Sequence, residues 1–388
     1  MTDVPIRNPQ PVQMLDFSRQ YASIRQELLD AIESACDSQR FILGPQVASF
    51  EQAAATACAA PHAVGCASGT DAIWLALAAA DIGPGDTVIT TPFSFFASVS
   101  AILRCGAQPL LADIDPATFN LSATATEEVI RSHTGAKVKA ILPVHLYGQC
   151  ADWDAFTALK QNYNVLLVED AAQAFGATWN GIPAGALGDA AAFSFYPTKN
   201  LSAMGDAGLV TTLSAAIDDH ARVLRAHGMR RRYYHDEIGW NSRLDSLQAA
   251  ILEVKLRYLP QWNQQRRNLA VRYDQLFDDA GITGSTTGEG IVLPFTDPRA
   301  THIFHQYVIR APRRDELRLY LTDRQIGSEI YYPLPLHQQT SLSSLGYKQG
   351  DFPISEAAAH EVLALPMYPE LREDEQQTVV ETIASFYA

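Results

Sequence analysis

Hydrophobic and polar positions along the chain form blocks that predict strands and helices in alternation. Short, nearly continuous apolar runs predict strands, and the segments between them have the spacing of helices. Strands that are apolar on both faces belong to a sheet covered on both sides, and such sheets are mostly parallel. The predicted strands are 63–68, 86–92, 108–115, 138–148, 163–172, 190–197 and 208–213, and the predicted helices are 17–41, 69–83, 123–133 and 151–160.

The pattern changes in the last third of the chain. It predicts one long helix from about Arg243 to Leu276, then an apolar run at 305–312, a helix at 314–325, a second apolar run at 326–332 and a terminal helix. These elements favour a smaller α+β domain behind a large α/β domain. We place the boundary at Pro260, so that residues 1–259 form the large domain with an N-terminal helical arm and residues 260–388 form the small domain.

Length and composition fit a large-cored globular protein of two domains. The chain has 388 residues, of which 47% are hydrophobic and 19% charged. The net charge of −14, from 29 basic and 43 acidic side chains, argues against a nucleic-acid surface. No apolar run approaches the roughly 20 residues of a membrane span. The first residues lack the apolar core of a signal peptide, and the number of cysteines, five, is odd, so we expect reduced thiols and a cytoplasmic location. The cysteines do not have the spacing of metal ligands, so we expect no metal site.

Polar residues follow several of the predicted strands, where ligands of open α/β sheets collect. Ser68, Gly69 and Thr70 stand between a strand and a helix. The free N–H groups and positive dipole end of a helix N-terminus suit a phosphate. Helix capping by Ser68 or Thr70 explains the same residues equally simply. The chain has no G-x-G-x-x-G and no P-loop motif, which are the usual sequence evidence for binding of a dinucleotide or a nucleoside triphosphate.

A lysine and a carboxylate follow two other strands. Asp170 ends an apolar strand and needs a cationic partner, unless it caps the segment that follows; alternation places Glu169 on the opposite face. Gln173 follows three residues later, and Ser194 precedes Lys199 by five. An anion cradle, a carboxylate and a lysine are what pyridoxal 5′-phosphate (PLP) requires. Alone, Lys199 is equally compatible with a surface turn.

Nine sequence motifs, taken in order, resemble those of the DegT/DnrJ/EryC1/StrS family. The members of that family are nucleotide-sugar aminotransferases with the fold-type-I PLP fold, a mostly parallel central sheet in a large domain plus a smaller α+β C-terminal domain. The resemblance covers nearly the whole chain. It rests on residues 42–51, 67–77, 83–98, 109–121, 142–153, 168–177, 193–210, 239–252 and 326–337.

The resemblance implies roles for individual residues. Lys199 matches the Schiff-base lysine and Asp170 matches the partner of the pyridine nitrogen. Gln173 would face the phenolic oxygen of the cofactor, and Phe95 would stack on its ring. Gly69, Thr70 and Ser194 match phosphate ligands. One departure is Ala207, which stands in "GDAG" where the family commonly has "GDGG"; we expect it to matter little.

The resemblance also implies an assembly and a reaction. Asn241 matches an asparagine that reaches the cofactor phosphate of a neighbouring chain, so we expect a homodimer with shared active sites. The implied donor is L-glutamate and the implied acceptor is a nucleotide-linked ketosugar, with the ketone at C-3 favoured, C-4 open, and dTDP or UDP undecided. Candidate substrate contacts are Arg230, His305, Tyr332 and His337, each of which has a structural alternative.

Two other functions are compatible with the same fold. Some family members carry a histidine at the lysine position and act as sugar dehydratases, so Lys199 argues for transamination. A PLP-binding regulator without turnover is the second alternative. The complete set of Lys199, Asp170 and Gln173 counts against it, because a decayed site should have lost one of them.

Overall fold

A seven-stranded sheet forms the centre of the large domain in the computed structural model, which describes residues 11–284 and 290–388. Its order is β1-β9-β8-β5-β4-β2-β3, and every pairing is parallel except those of β9, which runs antiparallel to β1 and β8. The predicted mostly parallel sheet is therefore found. Its strands are β1 (His62–Cys66), β2 (Thr87–Thr90), β3 (Gln108–Leu111), β4 (Val138–Ile141), β5 (Leu166–Asp170), β8 (Ala190–Ser194) and β9 (Gly208–Thr212).

Helices cover the sheet and supply its two hydrophobic layers. The third helix packs on β8 and β9, where the small side chains of Ala190–Ala192 allow close approach, and the second packs on β1. The helices of this domain are α1 (Phe17–Asp37), α2 (Pro45–Ala57), α3 (Gly69–Ala79), α4 (Ala97–Arg104), α5 (Ala123–Ser132), α6 (Trp153–Tyr163) and α7 (Ala215–Leu224). Two small additional sheets consist of β6 (Thr178–Trp179), β7 (Ile182–Pro183) and β12 (Ala300–Thr301), and of β10 (Met229–Arg231) and β11 (Tyr234–His235).

The C-terminal part is a small α+β unit. Its strands β13 (Tyr307–Arg310) and β14 (Val362–Leu365) pair antiparallel. Around them lie α9 (Arg314–Asp323), α10 (Pro353–Glu361) and α11 (Glu373–Tyr387). The expected apolar segment at 326–332 forms no named strand; it contributes isolated bridges, from Ile326 to Val12 and from Glu329 to Ala364.

A single helix, α8 (Ser246–Asp279), passes through the predicted domain boundary. Pro260 lies inside it without ending it. Leu252 and Leu259 belong to the core under the large sheet, whereas Tyr273 and Phe277 belong to the core around β13 and β14. The boundary at residue 260 stays a prediction, since the helix itself shows no break there.

The N-terminal arm contacts both parts of the molecule. Helix α1 packs along α8. Before it, Val12 forms a parallel bridge with Ile326, and within it Arg19 forms an ion pair with Glu375 at 2.6 Å. The arm therefore ties the C-terminal unit to the large domain.

Candidate active site

The carboxyl ends of β1, β5 and β8 meet at one edge of the sheet, and this edge carries most of the predicted site. Antiparallel pairing of β9 with both β1 and β8 makes β1 and β8 run in the same direction. Gly69 consequently lies directly against Ser194: a Cβ on Gly69 would be 2.5 Å from the Ser194 Cβ. This is the close backbone approach that makes room for a small anionic group.

The start of α3 is capped by one side chain but keeps other backbone N–H groups free of helical hydrogen bonds. Ser68 is the N-cap residue, and its Oγ accepts a hydrogen bond from the Asp71 N–H at 3.1 Å. The capping alternative is thus correct for Ser68. Capping by one side chain satisfies one donor, and the first-turn N–H groups of Gly69 and Thr70 still have no carbonyl of their own helix to bond. These N–H groups and the nearby Ser194 hydroxyl are donors at the place where the sequence predicts an anion cradle.

Asp170 occupies the end of β5 and is buried. Its Oδ2 accepts a hydrogen bond from Ser98 Oγ at 2.7 Å, and its Oδ1 accepts one from the Ala172 N–H at 3.3 Å. Burial raises the pKa of Asp170, while the bonds from Ser98 and Ala172 and the charge of Lys199 oppose that rise. No helix begins after it, so the capping alternative for Asp170 does not apply.

The neighbouring Glu169 points to the opposite face of the sheet and has a structural role. It accepts hydrogen bonds from the N–H groups of Gly185 at 2.8 Å, Leu187 at 3.0 Å and Gly188 at 2.8 Å. His145 lies 3.1 Å from the same carboxylate. Strand alternation therefore separates the two acids as predicted, and only Asp170 is available to a ligand.

Lys199 lies in the loop between β8 and β9. Its ammonium is close enough to Asp170 for the two charges to interact. Burial lowers the pKa of Lys199 to about 8, and the attraction of Asp170 limits the decrease. An amine with this pKa is partly neutral near pH 8 and can act as a nucleophile and a base. Lys199 does lie in a bend, as the surface-turn alternative requires, but it is half-buried there.

Gln173 and two aromatic residues form the next part of the site. The Gln173 Oε1 accepts a hydrogen bond from the Tyr147 N–H at 2.7 Å, and its Nε2 donates to the Tyr332 hydroxyl at 3.1 Å. The ring of Tyr332 lies 6.4 Å from the ring of Phe95, which is 60% exposed. Phe95 thus lies beside Tyr332 with an exposed ring that a planar ligand could stack on.

His305 is a predicted substrate contact that is affected by the charge of Lys199. It is buried, and its pKa falls well below the usual value because of burial and the charges of Lys199 and Arg266. In the described parts of the chain, its Nδ1 has no hydrogen-bond partner. A neutral imidazole with an unsatisfied buried nitrogen is a polar group that a ligand can satisfy.

Three predicted residues have other surroundings in this chain. Arg230 is on the surface and pairs with Asp219 at 2.6 Å, which matches the salt-bridged-loop alternative. His337 is buried and bonded to Glu356 at 2.9 Å, which matches the structural alternative. Asn241 is exposed, and its side chain has no hydrogen-bond partner among the described residues.

Two groups that contribute to the site were not predicted from the sequence. Ser98 bonds Asp170, and the Tyr147 N–H orients Gln173. Ser98 lies in one of the recognised motifs, at 83–98, and that was its only sequence signal. The Tyr147 contribution comes from the backbone, so its residue type gives no signal.

The arrangement fits PLP. Lys199 would hold the aldehyde, Asp170 the pyridine nitrogen, and the Gly69, Thr70 and Ser194 cradle the phosphate; the bound cofactor supplies an electron sink for the α-carbon of an amino acid. No group of three or more His, Cys, Asp or Glu residues suited to a metal occurs in residues 11–284 and 290–388. Among the helices described, none combines the length and apolarity that crossing a membrane requires.

Comparison with known proteins gives full-length matches. The model of the DegT/DnrJ/EryC1/StrS aminotransferase family matches residues 22–384. A protein of Geobacillus stearothermophilus named "Pleiotropic regulatory protein" is 48% identical over 97% of this chain and 98% of its own length. An Acidithiobacillus ferrooxidans UDP-N-acetyl-3-dehydro-alpha-D-glucosamine 3-aminotransferase is 41% identical over 94% of this chain and 95% of its own.

One further curated relative and one solved structure extend this picture. The dTDP-3-amino-3,4,6-trideoxy-alpha-D-glucose transaminase of Streptomyces venezuelae is 39% identical over 96% of this chain and 95% of its own. The crystal structure of S. venezuelae DesV in complex with a ketimine intermediate superposes with a TM-score of 0.92 at 38% identity, covering 97% of this chain and 99% of that one. These matches confirm the resemblance, the predicted fold class, the PLP dependence and the assignment as a nucleotide-sugar aminotransferase.

Proposed function

Because this chain belongs to the DegT/DnrJ/EryC1/StrS aminotransferase family, we propose that it moves the amino group of L-glutamate to the C-3 ketone of a nucleotide-linked sugar. Glutamate would leave as the 2-oxo acid and the ketone would become an amine, so atoms and electrons balance over the two half-reactions. The observation that carries the proposal is the grouping of three features at one edge of the sheet: Asp170 at the end of β5, Lys199 in the loop after β8, and the close packing of Gly69 on Ser194.

Each site residue has a task in this reaction. The Lys199 amine, with its pKa of about 8, would act as the base that takes the proton from the donor's α-carbon. Asp170 would hold the protonated pyridine nitrogen of the cofactor, and the hydrogen bond from Ser98 orients that carboxylate. Gln173 is held by the Tyr147 N–H and donates to the hydroxyl of Tyr332, whose ring lies beside that of Phe95.

The relatives' names favour C-3 over C-4. Two of the relatives described above act at position 3 by name, one on a UDP sugar and one on a dTDP sugar. Lys199 disfavours the dehydratase alternative. The regulator alternative gains weight from the name of the 48% identical relative, but the lysine, carboxylate and amide are all in place here.

The decisive experiment uses the pyridoxamine form of the enzyme. It should be incubated with UDP- and dTDP-linked sugars carrying a ketone at C-3 or at C-4, and the products identified by mass and NMR. We expect an amine at C-3. An amine formed only from the 4-ketosugars would overturn the position, and formation of no amine with any sugar would favour the regulator. Lys199→Ala is the inactive control. The donor is tested in the other half-reaction, by asking whether L-glutamate or another amino acid converts the PLP form to the pyridoxamine form.

We also propose a homodimer in which each site uses residues of both chains. Support comes from exposed apolar residues around the start of α8, where Phe41 O accepts the Ser246 N–H and Met204 N–H donates to Gln248. Such exposed apolar surface is typical of interfaces. The exposed large side chains near these contacts and the site include Phe41, Ile42, Leu43, Phe95, Tyr196, Met204 and Trp240.

Complementation tests the shared site. Lys199→Ala and Asn241→Asp should each be inactive dimers, the second because an aspartate repels the phosphate dianion in a weakly screened site. Refolding them together should restore at most about a quarter of parent activity, because half of the random dimers are mixed and one of their two sites is intact. If verified mixed dimers stay inactive, Asn241 does not serve the other chain.

A further inference from the structure

The segment around Asn241 is held by unusually specific contacts, although Asn241 itself makes none through its side chain in the described chain. On one side of it, Ser242 is fully buried and its Oγ donates to Asp71 Oδ2 at 2.7 Å. On the other side, Trp240 packs edge-on to Trp74 with ring centroids 6.1 Å apart. The two neighbours of Asn241 are thus fixed to the same helix, α3.

Asp71 links this segment to the phosphate cradle. It lies in the first turn of α3, directly after Thr70, and its N–H bonds the N-cap Ser68. Its Oδ1 accepts a hydrogen bond from Arg104. The Arg104 guanidinium also covers the Trp74 ring at 4.2 Å. An unpaired carboxylate beside a phosphate would repel it, and Arg104 neutralises that charge while leaving the second oxygen for Ser242.

The backbone completes the fixation. Asn241 forms an antiparallel bridge with Ala226, and the Ser242 N–H donates to Arg225 O at 3.0 Å. With its backbone bridged and both neighbours anchored, Asn241 has little freedom except in its own side-chain rotamer. The backbone position of Asn241, from which its exposed amide extends, is therefore fixed by contacts within its own chain, two of them to α3.

We propose that Ser242 and Asp71 are positioning residues that fix Asn241 for the cofactor phosphate of the partner subunit. This rests on the shared site proposed above. In each chain, Gly69 and Thr70 in the first turn of α3 would bind the cofactor phosphate of that chain's own site. Asp71 in the same turn binds Ser242, which positions Asn241 for the cofactor phosphate of the other site. The two cofactor sites of the dimer are joined by this short chain of hydrogen bonds.

The test compares two heterodimers, each with one working cofactor site. They differ in whether Ser242→Ala is in the chain that holds this site or in its partner. In the trans heterodimer, one chain carries Lys199→Ala and Ser242→Ala and the other is the parent. In the cis heterodimer, one chain carries Lys199→Ala alone and the other carries Ser242→Ala. The reference pairs Lys199→Ala with the parent. Borohydride can fix the cofactor only to the chain that retains Lys199, so the labelled fraction of that chain against PLP concentration gives the affinity of the working site.

We expect the trans heterodimer to bind PLP about five- to tenfold more weakly than the reference, the loss expected for one hydrogen bond that orders a polar ligand. The cis heterodimer should stay close to the reference. Equal weakening in both, or none in either, would overturn the proposal. If Ser242→Ala does not yield folded dimer, Ser242→Cys keeps the buried volume with a weak donor and should give the same trans-over-cis order.

The outcome separates this proposal from the shared site itself. If Lys199→Ala and Asn241→Asp complement each other but Ser242→Ala shows no preference for trans, only the positioning role fails. If they do not complement, the shared site fails and the positioning role falls with it.

Discussion

Replacing Gly69 by alanine tests whether the cradle depends on close contact between α3 and β8. The new Cβ would lie 2.5 Å from the Cβ, 2.8 Å from the Oγ and 3.1 Å from the Cα of Ser194. Carbon atoms pack best at about 3.5–4.0 Å, so the two segments must separate by roughly 1 Å. Rotation of the Ser194 side chain cannot relieve contacts made by its Cβ and Cα, and the strain must move backbone.

The expected cost follows from these distances. Overpacking of this kind costs about 1–3 kcal/mol of unfolding free energy. Replacement of glycine returns about 0.4–1 kcal/mol by restricting the unfolded chain. We therefore expect a net loss of about 1–2 kcal/mol in urea unfolding of the holoenzyme, together with weaker PLP binding because the phosphate ligands move apart.

A matched control and a rescue make the result specific. Gly83→Ala has its nearest neighbour, Cys105 O, at 3.8 Å and should be neutral or slightly stabilising. The double variant Gly69→Ala with Ser194→Gly removes the two closest contacts, so it should be more stable than the sum of the single effects, while PLP affinity stays low without the Ser194 hydroxyl. If Gly69→Ala matched Gly83→Ala in both stability and PLP affinity, the close contact would have no role in the cradle.

Three further predictions concern ionisable residues. The rate at which the apo chain captures PLP should rise with pH through about 8, because burial lowers the pKa of Lys199 to about 8 and only the neutral amine attacks; a midpoint near the ordinary 10.5 would contradict the site's electrostatics. Asp170→Asn should slow the half-reaction with glutamate, followed by stopped-flow absorbance, at least about 100-fold, whereas parent rates would rule out its electron-sink role. His337→Ala should lower the unfolding free energy by about 1–3 kcal/mol, because Glu356 loses a partner, with KM for the ketosugar unchanged; a raised KM at unchanged stability would instead make His337 a substrate contact.

The sequence predicted those parts of the fold and site that depend on local pattern. Apolar runs predicted the strands of the large sheet, and α8 was expected within a few residues of its observed ends. Asp170 lies at the end of β5, Gln173 follows that strand, and Lys199 follows β8, as the apolar runs predicted. The order of the strands in the sheet could not be read from those runs. The predicted long helix passes through Pro260 without a break, as observed, although a proline removes one hydrogen bond of the helix.

What remained hidden depends on contacts distant in sequence. The Tyr147 N–H that holds Gln173 comes from another loop, and backbone donors have no residue-type signal. The pairing of Ser242 with Asp71 joins positions 171 residues apart. For His337 the sequence allowed both a substrate contact and a structural role, and only the position of Glu356 distinguished them.

Helix α8 has a consequence for how the molecule unfolds and how it can be re-engineered. One rigid rod contributes Leu252 and Leu259 to one hydrophobic core and Tyr273 and Phe277 to the other, so neither core can melt without loosening its neighbour. Calorimetry of the apoenzyme should therefore give one cooperative transition rather than two. A chimera that exchanges the C-terminal unit with a relative should join the chains before Ser246, since a junction at Pro260 would graft half of one helix onto half of another.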